Sequence, residues 1–88
     1  MEIVFTKQFN KDLRKITDKN LAFRIEEIVI DVKKATDLTE IANLKKLSGY
    51  KNSYRIRVGD YRIGLYLNKN IVEFARFLNR KEIYRYFP

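Results

Sequence analysis

The 88-residue sequence contains no cysteine, no histidine and no tryptophan. Without cysteine there is no disulfide framework and no thiol chemistry. Without histidine the commonest metal ligand and the commonest general acid–base are both missing. Proline occurs once, and no apolar run approaches the roughly 18–20 residues that cross a bilayer. The opening MEIVFTKQFN lacks the basic stretch and long apolar run of a secretory signal. A soluble, cytoplasmic protein with no membrane partner is expected. Acidic residues are scarce in the second half: residues 51–88 hold three Asp and Glu against nine Lys and Arg, whereas residues 1–50 hold eight against ten.

What is present is a hydrophobic share of 45% and a formal net charge of +8. That share suits a globular fold and is too high for a disordered tail. The length predicts a single domain over residues 1–88 with a modest core, so stability is marginal without a partner. Six of the eight arginines lie between 55 and 85, and all six tyrosines between 50 and 86. Arginine mixed with tyrosine suits phosphate gripping and base stacking. A polyanionic or acidic partner is expected, the alternative being a solvated basic face.

Residues 2–5 are β-prone, and Thr6 reads as a helix N-cap. Phe9, Leu13 and Ile16 then follow at the spacing of one helix face. A second helix begins near Thr17-Asp18, with Leu21, Ile25, Ile28 and Val32 as its apolar stripe. Residues 37–41 form a connection with a helical turn, and Leu44 to Leu47 a short strand. Three strands follow at about 53–58, 61–67 and 71–78, joined by turns at Gly59-Asp60 and Asn68-Lys69-Asn70. Residues 80–86 form a short helical or irregular tail. The order β-α-α-β-β-β-β predicts a two-layer α+β domain. Its N-terminal strand and antiparallel helix hairpin pack on one face of a mainly antiparallel sheet, and the other face stays open.

The stretch YRIRVGDYRIGLYL, residues 54–67, carries the functional signal. A two-residue loop sets Arg57 opposite Arg62 and Arg55 opposite Gly64, on the face away from the helices. Like charges directly opposite each other are destabilising, so three arginines here serve something other than stability. Gly64 leaves the sheet bare beside Arg55, which suggests an empty floor for a phosphate among guanidinium forks. Carried on through a Lys69-Asn70 turn, the same register puts Ala75 opposite Gly64 and Phe77 opposite Arg62. Phe77 would then stand on the arginine face as a base-stacking platform, and Arg76 would fall on the core side.

LKKLSGYKNSYRIRVGDYRIGLYL followed by FLNRKEIY resembles the RelE/ParE superfamily of toxins from bacterial and archaeal toxin–antitoxin pairs. Its specific parts are YRIRVGDYRI and the terminal Arg-x-x-x-Tyr. RelE-like members cleave messenger RNA in the ribosomal A site; ParE-like members poison DNA gyrase. Carried over by position, the resemblance implies a ribosome-dependent endoribonuclease. Arg57, Arg62, Arg80 and Tyr84 would be catalytic, and Arg55, Lys81 and Arg85 would contact RNA. Strand cations that are often lysine in the family are arginine here, and Asn79 stands where relatives often carry histidine. The resemblance also implies an acidic or amphipathic antitoxin, with ribosome and message as further partners. DNA gyrase, or an inactive basic module, is the alternative.

The implied reaction is attack of a ribose 2′-OH on the adjacent phosphorus, giving a 2′,3′-cyclic phosphate and a 5′-OH. No histidine can serve it, and Asp60, Glu73 and Glu82 show no metal-ligand spacing, so no metal or other cofactor is expected. Arginines would stabilise the phosphoryl oxygens. Tyr84 would act as base, its phenolate favoured by nearby cations. Arg80 and Tyr84 sit at i, i+4, so a helical turn would put them on one face.

Overall fold

Thr6 ends the first strand and starts the first helix. Its Oγ1 accepts a hydrogen bond from the Phe9 N–H at 3.0 Å and donates one to the Ala75 carbonyl at 2.9 Å. The computed structural model describes all 88 residues. Strand β1 (Glu2–Phe5) leads through Thr6 into helix α1 (Lys7–Arg14), and α2 (Lys19–Lys34) completes a helix hairpin. Asp18 caps α2, accepting from the N–H groups of Asn20 and Leu21. A single 3-10 turn (Leu38–Glu40) leads to β2 (Leu44–Lys46), β3 (Ser53–Val58), β4 (Tyr61–Asn68) and β5 (Ile71–Asn79). The short helix α3 (Ile83–Tyr86) ends the order. None of these helices is long and apolar enough to cross a membrane.

The five strands form one sheet in the order β1-β5-β4-β3-β2. β1 joins the sheet at its edge, parallel to β5, and every other pairing is antiparallel. The expected two-layer α+β order is therefore found. Phe9, Ile25 and Val32 from the helices meet Ile56, Val58, Ile63, Leu65, Val72 and Phe74 from the sheet in one core. The β3–β4 hairpin has the expected register, with Arg57 opposite Arg62 and Arg55 opposite Gly64. A two-residue loop permits few other pairings.

The sheet departs from the expected pattern in β5. Pairing with β4 follows the turn from Asn68–Ile71 to Leu65–Phe74, and the register then shifts between Leu65 and Gly64. Gly64 faces Arg76, Ile63 faces Phe77 and Arg62 faces Leu78. One extra residue in a strand turns every later side chain to the other face. Phe77 is therefore not on the arginine face. It is 2% exposed in the core, stacked on Tyr61 with ring centroids 4.9 Å apart. Arg76, expected on the core side, instead reaches Asp12 of α1.

Asp12 holds this shift in place. Its carboxylate accepts from Arg76 Nε at 2.9 Å, from Arg76 Nη2 at 3.2 Å and from the Phe77 N–H at 2.9 Å. Asp12 itself is 3% exposed. A buried carboxylate in apolar surroundings is costly unless its lone pairs are used, and here three donors use them. The far side of Arg76 lies over the Tyr86 ring, 5.4 Å from its centroid.

The second sheet face is not open along its whole length. Ala75, Ile83 and Phe87 are buried there, with Leu47, Tyr66 and Leu78 packed around them. Gly64 allows this packing. A Cβ at that position would lie 2.7 Å from the Phe87 ring, closer than carbon atoms approach. The bare strip beside Arg55 is thus filled by an aromatic ring from the end of the chain and is not an empty phosphate floor.

Replacing Asp12 by alanine is expected to destabilise the fold by about 3 kcal/mol, because a half-buried guanidinium and a buried N–H lose their partner together. Asp12→Asn keeps an oxygen for the Phe77 N–H and should lose less. Urea midpoints of the two variants against wild type measure the difference.

Candidate functional site

The β3–β4 turn is the scaffold of the site. Gly59 takes a left-handed φ of +60°, which lets the chain reverse within two residues. Arg62 crosses back over this turn, and its Nη1 donates to the carbonyls of Gly59 and Tyr61 at 2.9 and 2.8 Å. The guanidinium is fixed from one side, and its other N–H groups remain for a ligand. Beyond β5 the Arg80 N–H donates to the Asp60 carbonyl at 2.8 Å, which ties the strand's exit to the same turn. Arg57, Arg62 and Arg80 therefore line one cleft of about 450 Å³, together with Arg24, Asn43, Gly59 and Asp60.

Arg24 comes from α2, and its place in the site could not be read from spacing within the strands. Its Nη1 lies against the turn, 3.3 Å from where a Cβ on Gly59 would stand. The available signal was its position beside Leu21, Ile25 and Ile28, at the margin of the buried stripe. Asn43 was missed too. It adopts φ +62°, and its carbonyl accepts from the Arg57 N–H at 3.3 Å and from Arg55 Nη1 at 2.9 Å.

The segment before Asn43 is held by its own side chains. Asp37 accepts from the hydroxyl and N–H of Thr39, and Glu40 from the N–H and hydroxyl of Thr36. These bonds favour the ionised forms and hold both carboxyls below their ordinary range, the Thr39 hydroxyl acting most on Asp37 and the Thr36 N–H most on Glu40.

Four guanidinium groups and one carboxylate, Asp60, thus surround a cleft with no apolar lining residue. The chain's one ion pair, Arg76–Asp12, lies elsewhere. Four like charges gathered with a single counter-charge favour an anion, and planar forks favour phosphate. Arg55 lies beside this group, turned onto the Asn43 carbonyl.

The tail is short and partly helical, as expected, but its helix starts late. Residues 80–82 form a turn in which Asn79 Oδ1 accepts from the Lys81 N–H at 3.0 Å, and α3 begins only at Ile83. Arg80 and Tyr84 are consequently not on one helical face. Tyr84, Lys81 and Arg85 are exposed and stand outside the cleft.

Comparison with known proteins assigns the chain to a family. Residues 3–84 match the model of the family described as ParE toxin of type II toxin-antitoxin system, parDE. The chain belongs to that family. It is 42% identical over 89 residues to Toxin RelE3 of Methanocaldococcus jannaschii, covering the whole of both chains. The structure superposes on the RelB–RelE antitoxin–toxin complex from Methanococcus jannaschii with a TM-score of 0.82 and 41% identity, covering 97% of this chain and 99% of that one. The archaeal RelE–RelB complex from Pyrococcus horikoshii shares the fold, with a TM-score of 0.74, 23% identity, and coverage of 93% and 97%. The protein is a RelE-like toxin.

This toxin carries a second, apolar surface. A groove of about 400 Å³ runs along the helix hairpin, lined by side chains that include Phe5, Phe9, Leu13, Ile25 and Val29. Phe5 and Ile30 at its rim are 44% and 48% exposed.

Binding of single-stranded RNA to the cleft is expected to weaken with salt. Four phosphate contacts give a slope of log K against log salt near −3. Each of Arg24→Ala, Arg57→Ala, Arg62→Ala and Arg80→Ala should reduce that slope by about 0.7. Fluorescence titrations at several salt concentrations check both numbers.

Proposed function

We propose that this toxin is a metal-independent endoribonuclease that cuts messenger RNA bound in the ribosome and so inhibits translation. The observation that carries the proposal is the convergence of Arg57 from β3, Arg62 from β4 and Arg80 from the turn after β5 on one polar cleft. The message's 2′-OH attacks the adjacent phosphorus, the bond to the 5′-oxygen breaks, and a 2′,3′-cyclic phosphate and a 5′-OH result. Arg57 and Arg62 stabilise charge on the non-bridging oxygens. Arg80 grips the scissile phosphate as the 5′-oxygen leaves. Tyr84, exposed outside the cleft on the helix that follows Arg80, is assigned the 2′-OH proton by the family resemblance, which requires the bound message to reach from the cleft to that helix.

Arginine is a poor proton donor, because its pKa exceeds about 12. The chemistry on free RNA is therefore slow, and the ribosome contributes by fixing the attacking and leaving atoms in line. Arg55, Lys81 and Arg85 hold the flanking backbone.

The partner that restrains the toxin is proposed to be an acidic or amphipathic antitoxin. Its apolar helix face lies in the groove between α1 and α2, as an amphipathic helix lies in an apolar groove elsewhere. Support comes from the solved relatives, which are RelB–RelE complexes. Binding raises the toxin's stability by mass action.

A second reading is favoured by the family's description as ParE toxin. In it the basic face engages DNA gyrase and no RNA is cut. Single-turnover cleavage of ribosome-bound message separates the two. Arg80→Ala and Tyr84→Phe should stay folded and cut at least about tenfold more slowly, since general-base contributions run about 10²–10⁴. Full-rate cleavage by Tyr84→Phe removes the tyrosine from the mechanism. A wild-type protein that cuts nothing, yet stabilises gyrase–DNA breaks, replaces the first reading by the second.

The antitoxin proposal is checked at the groove rim. Ile30→Glu puts a charge on an exposed apolar position without touching the core. It should weaken antitoxin binding at least about tenfold and leave the melting temperature of the free toxin nearly unchanged, since solvent-facing substitutions cost within about 0.5 kcal/mol. Isothermal titration with the product of any adjacent open reading frame gives the first quantity, and thermal unfolding the second.

A further inference from the structure

The arginine cleft does not end at Arg24. Along α2, Arg24, Glu27, Ile28 and Asp31 share one face, at i, i+3, i+4 and i+7. That face overlooks Ile41 and Ile56, and between them lies a recess of about 240 Å³. Arg24, Asn43 and Arg57 line both the recess and the cleft, so the two are continuous. The apolar side of the recess is offered by Ile28 and Ala42, which keep accessible surface, with Ile41 and Ile56 buried behind them. Glu27 and Asp31 are exposed beside it, and neither forms an ion pair.

The two carboxylates set the problem. Beside a cleft for phosphate they repel the ligand, so a surface meant only for the RNA backbone gains nothing from them. An ionised carboxylate only accepts hydrogen bonds. Carboxylates beside an apolar surface suit a flat, weakly polar group whose edge donates. A nucleobase is such a group, and RNA bases are read on their Watson–Crick edges when unstacked.

We propose that the recess receives the base of a nucleotide adjoining the phosphate held by the arginines, and that it selects guanine. The inference rests on the RNA reading above. Guanine presents two neighbouring donors, N1–H and N2–H, on its Watson–Crick edge. Adenine and cytosine present one amino donor beside a ring-nitrogen acceptor, and uracil one donor between two acceptors. Only guanine offers a carboxylate a bidentate contact without an acceptor set against it. Glu27 and Asp31 are the specificity residues, and Arg24 anchors the intervening phosphate.

The test uses three-nucleotide RNAs, UGU, UAU, UCU and UUU, with every 2′-OH methylated so that none can be cut. Binding to the wild-type chain is followed by NMR at low salt. UGU should bind at least about fivefold more tightly than UUU, as a good bidentate base contact discriminates, and should shift the amides of Ile28 and Ile41. The double variant Glu27→Gln, Asp31→Asn should lose the preference and bind UUU at least as tightly as wild type. Arg62→Ala should weaken all four RNAs alike. If wild type binds the four equally, or if the double variant keeps the preference, the recess does not read a base, while the RNA reading stands. If none of the four binds, the recess does not read a base on the free chain, and the RNA reading is decided separately by the cleavage of ribosome-bound message.

Discussion

The carboxylate of Asp12 sets the geometry on which the rest of the molecule depends. It occupies the free edge of β5 just where β1 stops pairing, and it bonds the first N–H past the register shift together with the Arg76 guanidinium. The extra residue in β5 is tolerable because its consequences are satisfied there. Phe77 then turns into the core, Asn79 comes opposite Tyr61, and the chain leaves the sheet beside the β3–β4 turn. Without the shift Arg80 would leave the sheet out of step with Arg57 and Arg62. The buried pair between Asp12 of α1 and Arg76 of β5 thus secures the register from which Arg80 leaves the sheet.

The cleft works against the fold that builds it. Arg57 and Arg62 face each other across a strand pair, Arg80 is drawn to the same turn by a backbone hydrogen bond, and Arg24 arrives from the helix layer. Their mutual repulsion, screened by water and partly offset by Asp60, adds nothing to the stability of the hairpin. Apolar packing on the opposite side of the hairpin supports it, since Ile56, Val58 and Ile63 are almost completely buried directly behind the arginines. Local rules of sheet stability fail here, as they do where a surface is shaped for binding.

Much of this was legible in the sequence because the governing signals were local. Thr6 and Asp18 cap helices as their types suggest, and the Gly59-Asp60 turn fixed one register for the hairpin. The register of β5 was not legible. Alternation carried from the Lys69-Asn70 turn gives the right partners as far as Leu65, and the shift that follows is made by Asp12, 65 residues away from Phe77. Gly64 by itself suggests a place left for a ligand, but the group that approaches it is Phe87. Arg24 and Asn43 escaped for the same reason: each enters the site through tertiary packing, and no spacing within a strand or helix announces that.

The pairing of β1 with β5 has a consequence for how the molecule comes into being. The Thr6 hydroxyl meets the Ala75 carbonyl across 69 residues, and β1 has no other strand to pair with. Closing so long a loop costs entropy before any contact offsets it, and such pairings form slowly. On a growing chain the helix hairpin and the Arg57–Arg62 hairpin are available first, while the edge that positions Arg80 waits for β5. The four arginines therefore come together only once β5 and Arg80 have been made, and a chain stopped before them has the earlier arginines without the assembled cleft.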